Sequence, residues 1–180
     1  MRGRVLVVLL ALASLVAIIS PSLEPFPSPY PLPSGERGEL GGTVGRIVDG
    51  DTIYVRLATG VEKVRYIGID TPEVHHPTRG EEPGGREATE VNRRLLGHEP
   101  VRLETDVQLR DRYGRLLAYV WVPGPDGGQL MVNAELVRLG YGAVMTVPPN
   151  VRHAELFRKL AAEAREHRRG LWAPPGSPAR

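Results

Sequence analysis

Hydrophobic and polar positions alternate with a two-residue period along the middle of this chain and shift to helical spacing in three places. Thr52 to Leu57 alternates cleanly, with Ile53, Val55 and Leu57 on one face. Thr59-Gly60 marks a turn, and Val61 to Ile69 is the next predicted strand, so the two form a hairpin. Upstream, Val44, Ile47 and Val48 lead as a strand into Asp49-Gly50-Asp51. Downstream, Val101 to Leu103 and Leu116 to Val122 are the remaining strands. Ala88, Val91 and Leu95 share one face of a helix predicted over Arg86 to Leu96 and stopped by Gly97. Val132 to Leu139 is a short helix ending at Gly140. His153 to Arg169 is a longer one, with Leu156, Leu160 and Ala164 inward and Gly170 closing it. The polar stretch Pro77 to Gly85, with two prolines and three glycines, is a predicted loop. Five short strands interrupted by one helix and followed by two more describe an α+β domain: a small closed five-stranded barrel of the oligonucleotide/oligosaccharide-binding (OB) type, with about three helices packed on it.

Before that domain the pattern changes twice. Met1-Arg2-Gly3-Arg4 is a basic start, and Val5 to Ile19 is apolar apart from Ser14. This pattern fits an export signal. It is shorter than the ~20 residues that span a bilayer comfortably. Pro21 after Ser20 is awkward for a signal peptidase, which leaves an uncleaved anchor with its charged end inside as the alternative. Residues 21–39 carry six prolines and no apolar period, the composition of an extended spacer. The expected organisation is therefore a signal or membrane anchor over 1–20, a spacer over 21–39, a barrel domain over 40–173 and a flexible tail over 174–180. The protein is expected to be secreted or tethered to the outer face of the cell membrane.

Composition narrows the chemistry. The 180 residues are 41% hydrophobic and include no cysteine, which excludes disulfides, zinc–thiolate sites and a Cys nucleophile. The formal net charge is +2, but Arg2 and Arg4 lie in the first segment, so beyond residue 20 the 21 remaining basic residues balance 21 acidic ones. A domain that holds nucleic acid by bulk charge is more basic than this. Any such affinity has to come from local placement of charge and from a cation.

Three segments place charge locally: Asp49-Gly50-Asp51-Thr52, then Arg65 with Asp70-Thr71-Pro72-Glu73, then Asp111-Arg112-Tyr113-Gly114-Arg115. Each alone reads as an ordinary turn or hairpin tip. Together they supply two carboxylates able to share a hard cation, a third carboxylate nearby and two guanidiniums. Calcium and magnesium favour carboxylate and carbonyl oxygens, and guanidinium forks match phosphate oxygens in pairs. The combination suits metal-assisted cleavage of a phosphodiester. The hairpin over residues 52–69 would bring Asp51 and Asp70 together across its open end.

Residues ~42–173 resemble the thermonuclease, or staphylococcal nuclease, family. The resemblance is carried by Val48-Asp49-Gly50-Asp51-Thr52, Val64-Arg65, Ile69 to Glu73, His76-Pro77, Gly84 with Glu87-Ala88, Asp111 to Val120, Val132-Asn133, Glu135 to Gly140 and Leu171-Trp172. It implies a calcium-dependent nuclease acting on DNA or RNA and leaving 3′-phosphates. Asp51, Asp70 and the Thr71 carbonyl would ligate Ca²⁺, with Asp49 nearby. Glu73 would be the general base, or orient the attacking water. Arg65 and Arg115 would bind the scissile phosphate, and Arg112 and Tyr113 a neighbouring one. A single-stranded or unpaired substrate and a monomeric protein are expected.

One departure concerns substrate grip. The family carries aromatic residues before the last helix, whereas Ala143 to Pro149 has none. Neighbouring His75 and His76 face opposite ways on an extended segment, so they are expected to be loop residues rather than paired metal ligands. Trp121 and Trp172 are expected in the core, and Arg152, Arg158, Arg165, Arg168 and Arg169, at and along the last helix, on a solvated face with Glu155, Glu163 and Glu166. The rival reading is a catalytically silent barrel that binds nucleic acid or protein; a surface sugar-binding module is a further alternative.

Overall fold

The computed structural model describes residues 39–74, 80–98 and 100–174. The N-terminal signal or anchor, the spacer up to residue 38, and His75 and His76 lie outside the described residues. Strands β1 (Glu39–Ile47), β2 (Thr52–Leu57) and β3 (Gly60–Tyr66) form an antiparallel meander, and β4 (Ile69–Asp70) follows a turn. Helix α1 (Gly85–Leu96) then leads to β5 (Pro100–Glu104), β6 (Leu116–Pro123) and β7 (Gln129–Met131). Helix α2 (Val132–Arg138), β8 (Ala143–Val144) and α3 (Ala154–Glu166) complete the order, with a 3₁₀ turn at Gly170–Trp172.

The barrel closes through two pairings that join distant parts of the chain. β1 pairs antiparallel with β5 on one side, and β3 pairs parallel with β6 on the other, giving the ring β1-β2-β3-β6-β5. This is the expected α+β OB-type barrel with three helices. Its interior is filled by the inward positions of each strand, among them Ile53, Val55, Val64, Leu103, Ala118 and Val120, all fully buried. α2 and α3 pack on each other and seal one end with Leu136, Val137, Phe157 and Ala161.

Four local expectations are corrected. The strand predicted over Val61 to Ile69 stops at Tyr66: Gly68 takes a left-handed φ of +81°, and Ile69 and Asp70 leave to pair with β8. A side chain at Gly68 would meet the Phe157 ring at 2.5 Å, so the turn is packed directly under α3. In α3 itself the buried stripe is Phe157, Ala161 and Ala164; Leu156 and Leu160 flank it half-buried. In α1 the inward stripe ends on Leu96 rather than Leu95 and includes Asn92. Trp172 is also not core. It is 41% exposed and stacks under the Arg165 guanidinium, whereas Trp121 is buried as expected.

Candidate active site

The acidic turn between β1 and β2 is held tightly. Val48 and Asp49 both donate backbone N–H bonds to the Thr52 carbonyl. The Asp49 carboxylate accepts from the Asp51 N–H at 3.2 Å. Beneath the turn, Asn92 of α1 donates to the Asp49 carbonyl and accepts from the buried Tyr66 hydroxyl. Gly50 is required by space: a Cβ there would lie 2.6 Å from the Thr71 hydroxyl and 3.0 Å from the Ala88 methyl. The turn is thereby pressed against the segment after β4.

That contact builds the candidate metal centre. Asp51, 4% exposed, accepts from the Thr71 N–H at 2.8 Å and from the Thr71 hydroxyl at 3.1 Å through Oδ2, and from the Thr52 hydroxyl through Oδ1. Arg65 reaches both aspartates, with Nη1 at 3.1 Å from Asp51 Oδ2 and Nη2 at 2.7 Å from Asp70 Oδ1. Its Nη1 also donates to the Tyr66 and Ile69 carbonyls, which fixes the plane of the fork. Burial pushes the Asp51 carboxyl up to about 7; Arg65 and the Thr71 N–H oppose that rise, and Asp49 and Asp70 add to it. Asp51, Asp70, Thr71 and Arg65 are thus brought together. The route differs from the expected one, because the hairpin ends with Tyr66 donating to the Asp51 carbonyl and Asp70 returns through the Gly68 turn.

Among the described residues no three His, Asp or Glu side chains converge as a ready-made metal cage. The donors are two carboxylates within the span of one guanidinium, plus the backbone of the next residue. That set fits a hard cation, which accepts carboxylate and carbonyl oxygens and completes its shell with water.

Arg115 approaches from the other side. The parallel seam places Arg65 beside Leu117, two residues beyond Arg115. A cleft of about 180 Å³ opens over this seam, lined by Arg65, Arg115, Asp111, Gln108, Met145 and Asn150 among others. The Asp111 carboxylate braces the tip of the β6 approach. Its Oδ1 accepts the Tyr113 and Arg115 N–H groups, and its Oδ2 accepts Arg115 Nε at 2.6 Å. Those bonds, together with Arg115, hold the Asp111 carboxyl below its usual range against the cost of burial. Arg112 and Tyr113 stand outside the cleft, exposed, with the Arg112 guanidinium 4.7 Å from the Tyr113 ring centroid.

Glu73 lies two residues past Thr71 at a half-buried position. Its backbone is tied to Glu82 in both directions, accepting from the Glu82 N–H and donating to the Glu82 carboxylate at 3.0 Å. Gly85 lets the start of α1 sit against this segment, since a Cβ there would be 2.8 Å from the Glu73 carbonyl.

Several supports of the site were missed in the sequence. Asn92 carried a signal, a polar residue inside the apolar stripe of α1. Asp111 carried one too, four residues before the arginine it braces. Asn150 carried none: it clamps the backbone of Gln108 from 42 residues away, accepting from its N–H at 2.7 Å and donating to its carbonyl at 2.8 Å. Arg152, expected on a solvated face, is instead 2.5 Å from the buried Glu104, which also accepts from Trp121 Nε1.

Comparison with known proteins gives the chain a family. Residues 63–174 match the family model described as staphylococcal nuclease homologue. The chain is 37% identical over 128 residues to a thermonuclease of Staphylococcus hyicus, covering 71% of this chain and 73% of the relative. It is 36% identical over 129 residues to the thermonuclease of Staphylococcus intermedius, with coverages of 72% and 74%. It is also 37% identical over 135 residues to the SPbeta prophage-derived endonuclease YokF of Bacillus subtilis (strain 168), covering 74% of this chain and 44% of that protein.

Proposed function

The chain belongs to the staphylococcal nuclease homologue family, and on that footing we propose that it is a calcium-dependent nuclease that hydrolyses DNA or RNA and leaves 3′-phosphate ends. One arrangement supports this reading above the others: the Arg65 fork lies between Asp51 and Asp70 and opens into the same cleft as Arg115. A silent binding barrel has no use for two guanidiniums converging beside paired carboxylates.

Asp51, Asp70 and the Thr71 carbonyl are the donors for Ca²⁺, with Asp49 behind them. When bound, the ion polarises the phosphoryl oxygens of the substrate. Arg65 and Arg115 grip the scissile phosphate and match the charge that grows on its oxygens, the kind of preorganised contact that lowers a barrier most. Glu73 takes a proton from the attacking water as the water oxygen bonds to phosphorus and the bond to the 5′ oxygen breaks, the departing 5′ oxygen taking a proton from solvent to leave as a hydroxyl. Arg112 and Tyr113, at the outer lip, contact the next phosphate. The recessed cleft favours a single or unpaired strand, and the protein acts as a monomer. Residues 1–20 direct it out of the cell or hold it at the outer membrane face, which mass spectrometry of the mature N-terminus decides.

The test is digestion of heat-denatured DNA by the full chain across a calcium titration, wild type beside Glu73→Gln, with end-group analysis of the products. The expected result is calcium-dependent digestion, 3′-phosphate ends and a loss of about 10²–10⁴-fold in the variant. Digestion that survives a chelator, or a wild type with no activity, overturns the reading.

A further inference from the structure

Most arginines of the barrel are matched to carboxylates. Arg65, Arg102, Arg110 and Arg115 each lie within 3.1 Å of an Asp or Glu oxygen. The outer face of β1–β3 breaks that pattern. Arg46, Tyr54 and Lys63 stand side by side on three adjacent strands, in register as Arg46↔Tyr54 and Tyr54↔Lys63. The Arg46 guanidinium lies 4.6 Å and the Lys63 ammonium 5.9 Å from the centroid of the Tyr54 ring. Two cations thus share one aromatic ring, which attracts each of them while they repel one another. Neither forms an ion pair with a described carboxylate. The neighbouring Glu62 is engaged by Arg110 through two bonds, at 2.9 and 2.7 Å.

The position of this row matters as much as its charge. Thr52 pairs with Arg65 one step along the same two strands, and residues two apart on a strand face the same way. Lys63 and Tyr54 therefore lie on the face that carries Arg65, about 7 Å from it along the sheet. The half-buried Tyr54 and the exposed Arg46 continue the row away from the cleft. In a chain whose charges balance beyond residue 20, the row is a local excess of cation that leads towards the candidate phosphate site.

We propose that the Arg46–Tyr54–Lys63 row is a backbone track for the nucleic-acid strand flanking the scissile phosphate, with Lys63 and Arg46 each neutralising one phosphate. The inference rests on the nuclease reading and adds to it a substrate class, polynucleotides long enough to cover the row. Tyr54 holds the two cations at the sheet surface without neutralising them, and a phosphate on each relieves their repulsion.

The test compares Arg46→Gln/Lys63→Gln with wild type on a 20-nucleotide single strand and on a dinucleotide too short to reach the row. A second double variant, Arg94→Gln/Lys159→Gln, removes the same net charge from exposed helix positions. For the track variant, the ratio of kcat/KM on the long strand to that on the dinucleotide is expected to fall about tenfold at 50 mM salt. Two lost phosphate contacts on a single strand reduce the slope of log affinity against log salt by about 1.4, so the deficit shrinks roughly sevenfold by 200 mM. The helix variant keeps the wild-type ratio. A track variant with an unchanged ratio overturns the proposal while leaving the nuclease intact, and so does a helix variant with an equal loss. A wild type that cleaves neither substrate overturns the nuclease reading itself, and the track with it.

Discussion

Asp51 Oδ2 accepts hydrogen bonds from both the backbone N–H and the hydroxyl of Thr71, 20 residues further along the chain. This one link joins the acidic turn before β2 to the segment after β4, and so joins the proposed calcium donors into one unit. Gly50 makes it geometrically available. Gly50→Ala is therefore expected to force the two segments apart, costing about 1–3 kcal/mol of stability and moving the calcium midpoint of activity to higher concentration. Urea unfolding and a calcium titration of the same preparation check both effects. A variant as stable as wild type with an unmoved midpoint contradicts the geometry.

Arg65 spans two carboxylates and two carbonyls with one planar group. A lysine keeps the charge but has a single ammonium that cannot cover those four acceptors. Arg65→Lys is expected to lower kcat by about 10²–10³-fold, with a smaller change in KM. Steady-state kinetics on denatured DNA reads the split. Activity within a few-fold of wild type means the fork itself is dispensable.

The Asp111 carboxylate braces Arg115, the arginine proposed to grip the scissile phosphate. Removing its carboxylate in Asp111→Ala frees Arg115 Nε and two backbone N–H groups at the tip. The expected outcome is a fall in kcat of about 10- to 100-fold, the scale of a small misplacement of a catalytic group. The thermal midpoint changes little, and Asp111→Asn, which keeps one acceptor, restores part of the loss. Equal loss in both variants argues for a role of the charge itself.

Glu104 couples β5 to the start of α3. Burial alone would raise its carboxyl; the hydrogen bond and charge of His153, then those of Arg152, outweigh it, and the net effect is a value below the ordinary one. A carboxylate lowered in the folded state contributes stability that is present above its unfolded pKa, near 4.3, and is lost as pH falls through its folded pKa. Glu104→Gln is expected to destabilise the protein by about 3 kcal/mol at pH 7, because Arg152 is left without its buried partner. The gap to wild type closes as the pH drops below 4. Urea midpoints between pH 7 and pH 3 test this, and a gap that stays constant refutes it.

The strands and helices were legible where one face is uniformly apolar. β2 is the clearest case, since Ile53, Val55 and Leu57 all point into the barrel. Legibility failed where apolar residues continue past a break. Ile67 and Ile69 are both buried on either side of Gly68, so the alternation reads straight through a turn that distant residues hold, Phe157 by packing on Gly68 and Met145 by donating its N–H to the Gly68 carbonyl. In α3 the run Leu156-Phe157 offers two adjacent phases, and the larger ring took the core. β8 is two residues long and exists only as a partner for β4. At the site, the acids and arginines were visible as motifs, whereas Asn150, which supports the same cleft, was not. Asn150 and Gln108 meet across 42 residues with no local pattern to announce it.

The seam between β3 and β6 has a consequence beyond geometry. Val64 lies beside Leu116 although 52 positions separate them, so this contact is among the slowest kinds to form. Arg65 and Arg115 occupy opposite banks of that junction. On the proposed reading, a nascent or half-unravelled chain holds both guanidiniums yet cannot present them to one phosphate, so hydrolytic power would arrive all at once, with ring closure, and vanish as abruptly when the ring opens.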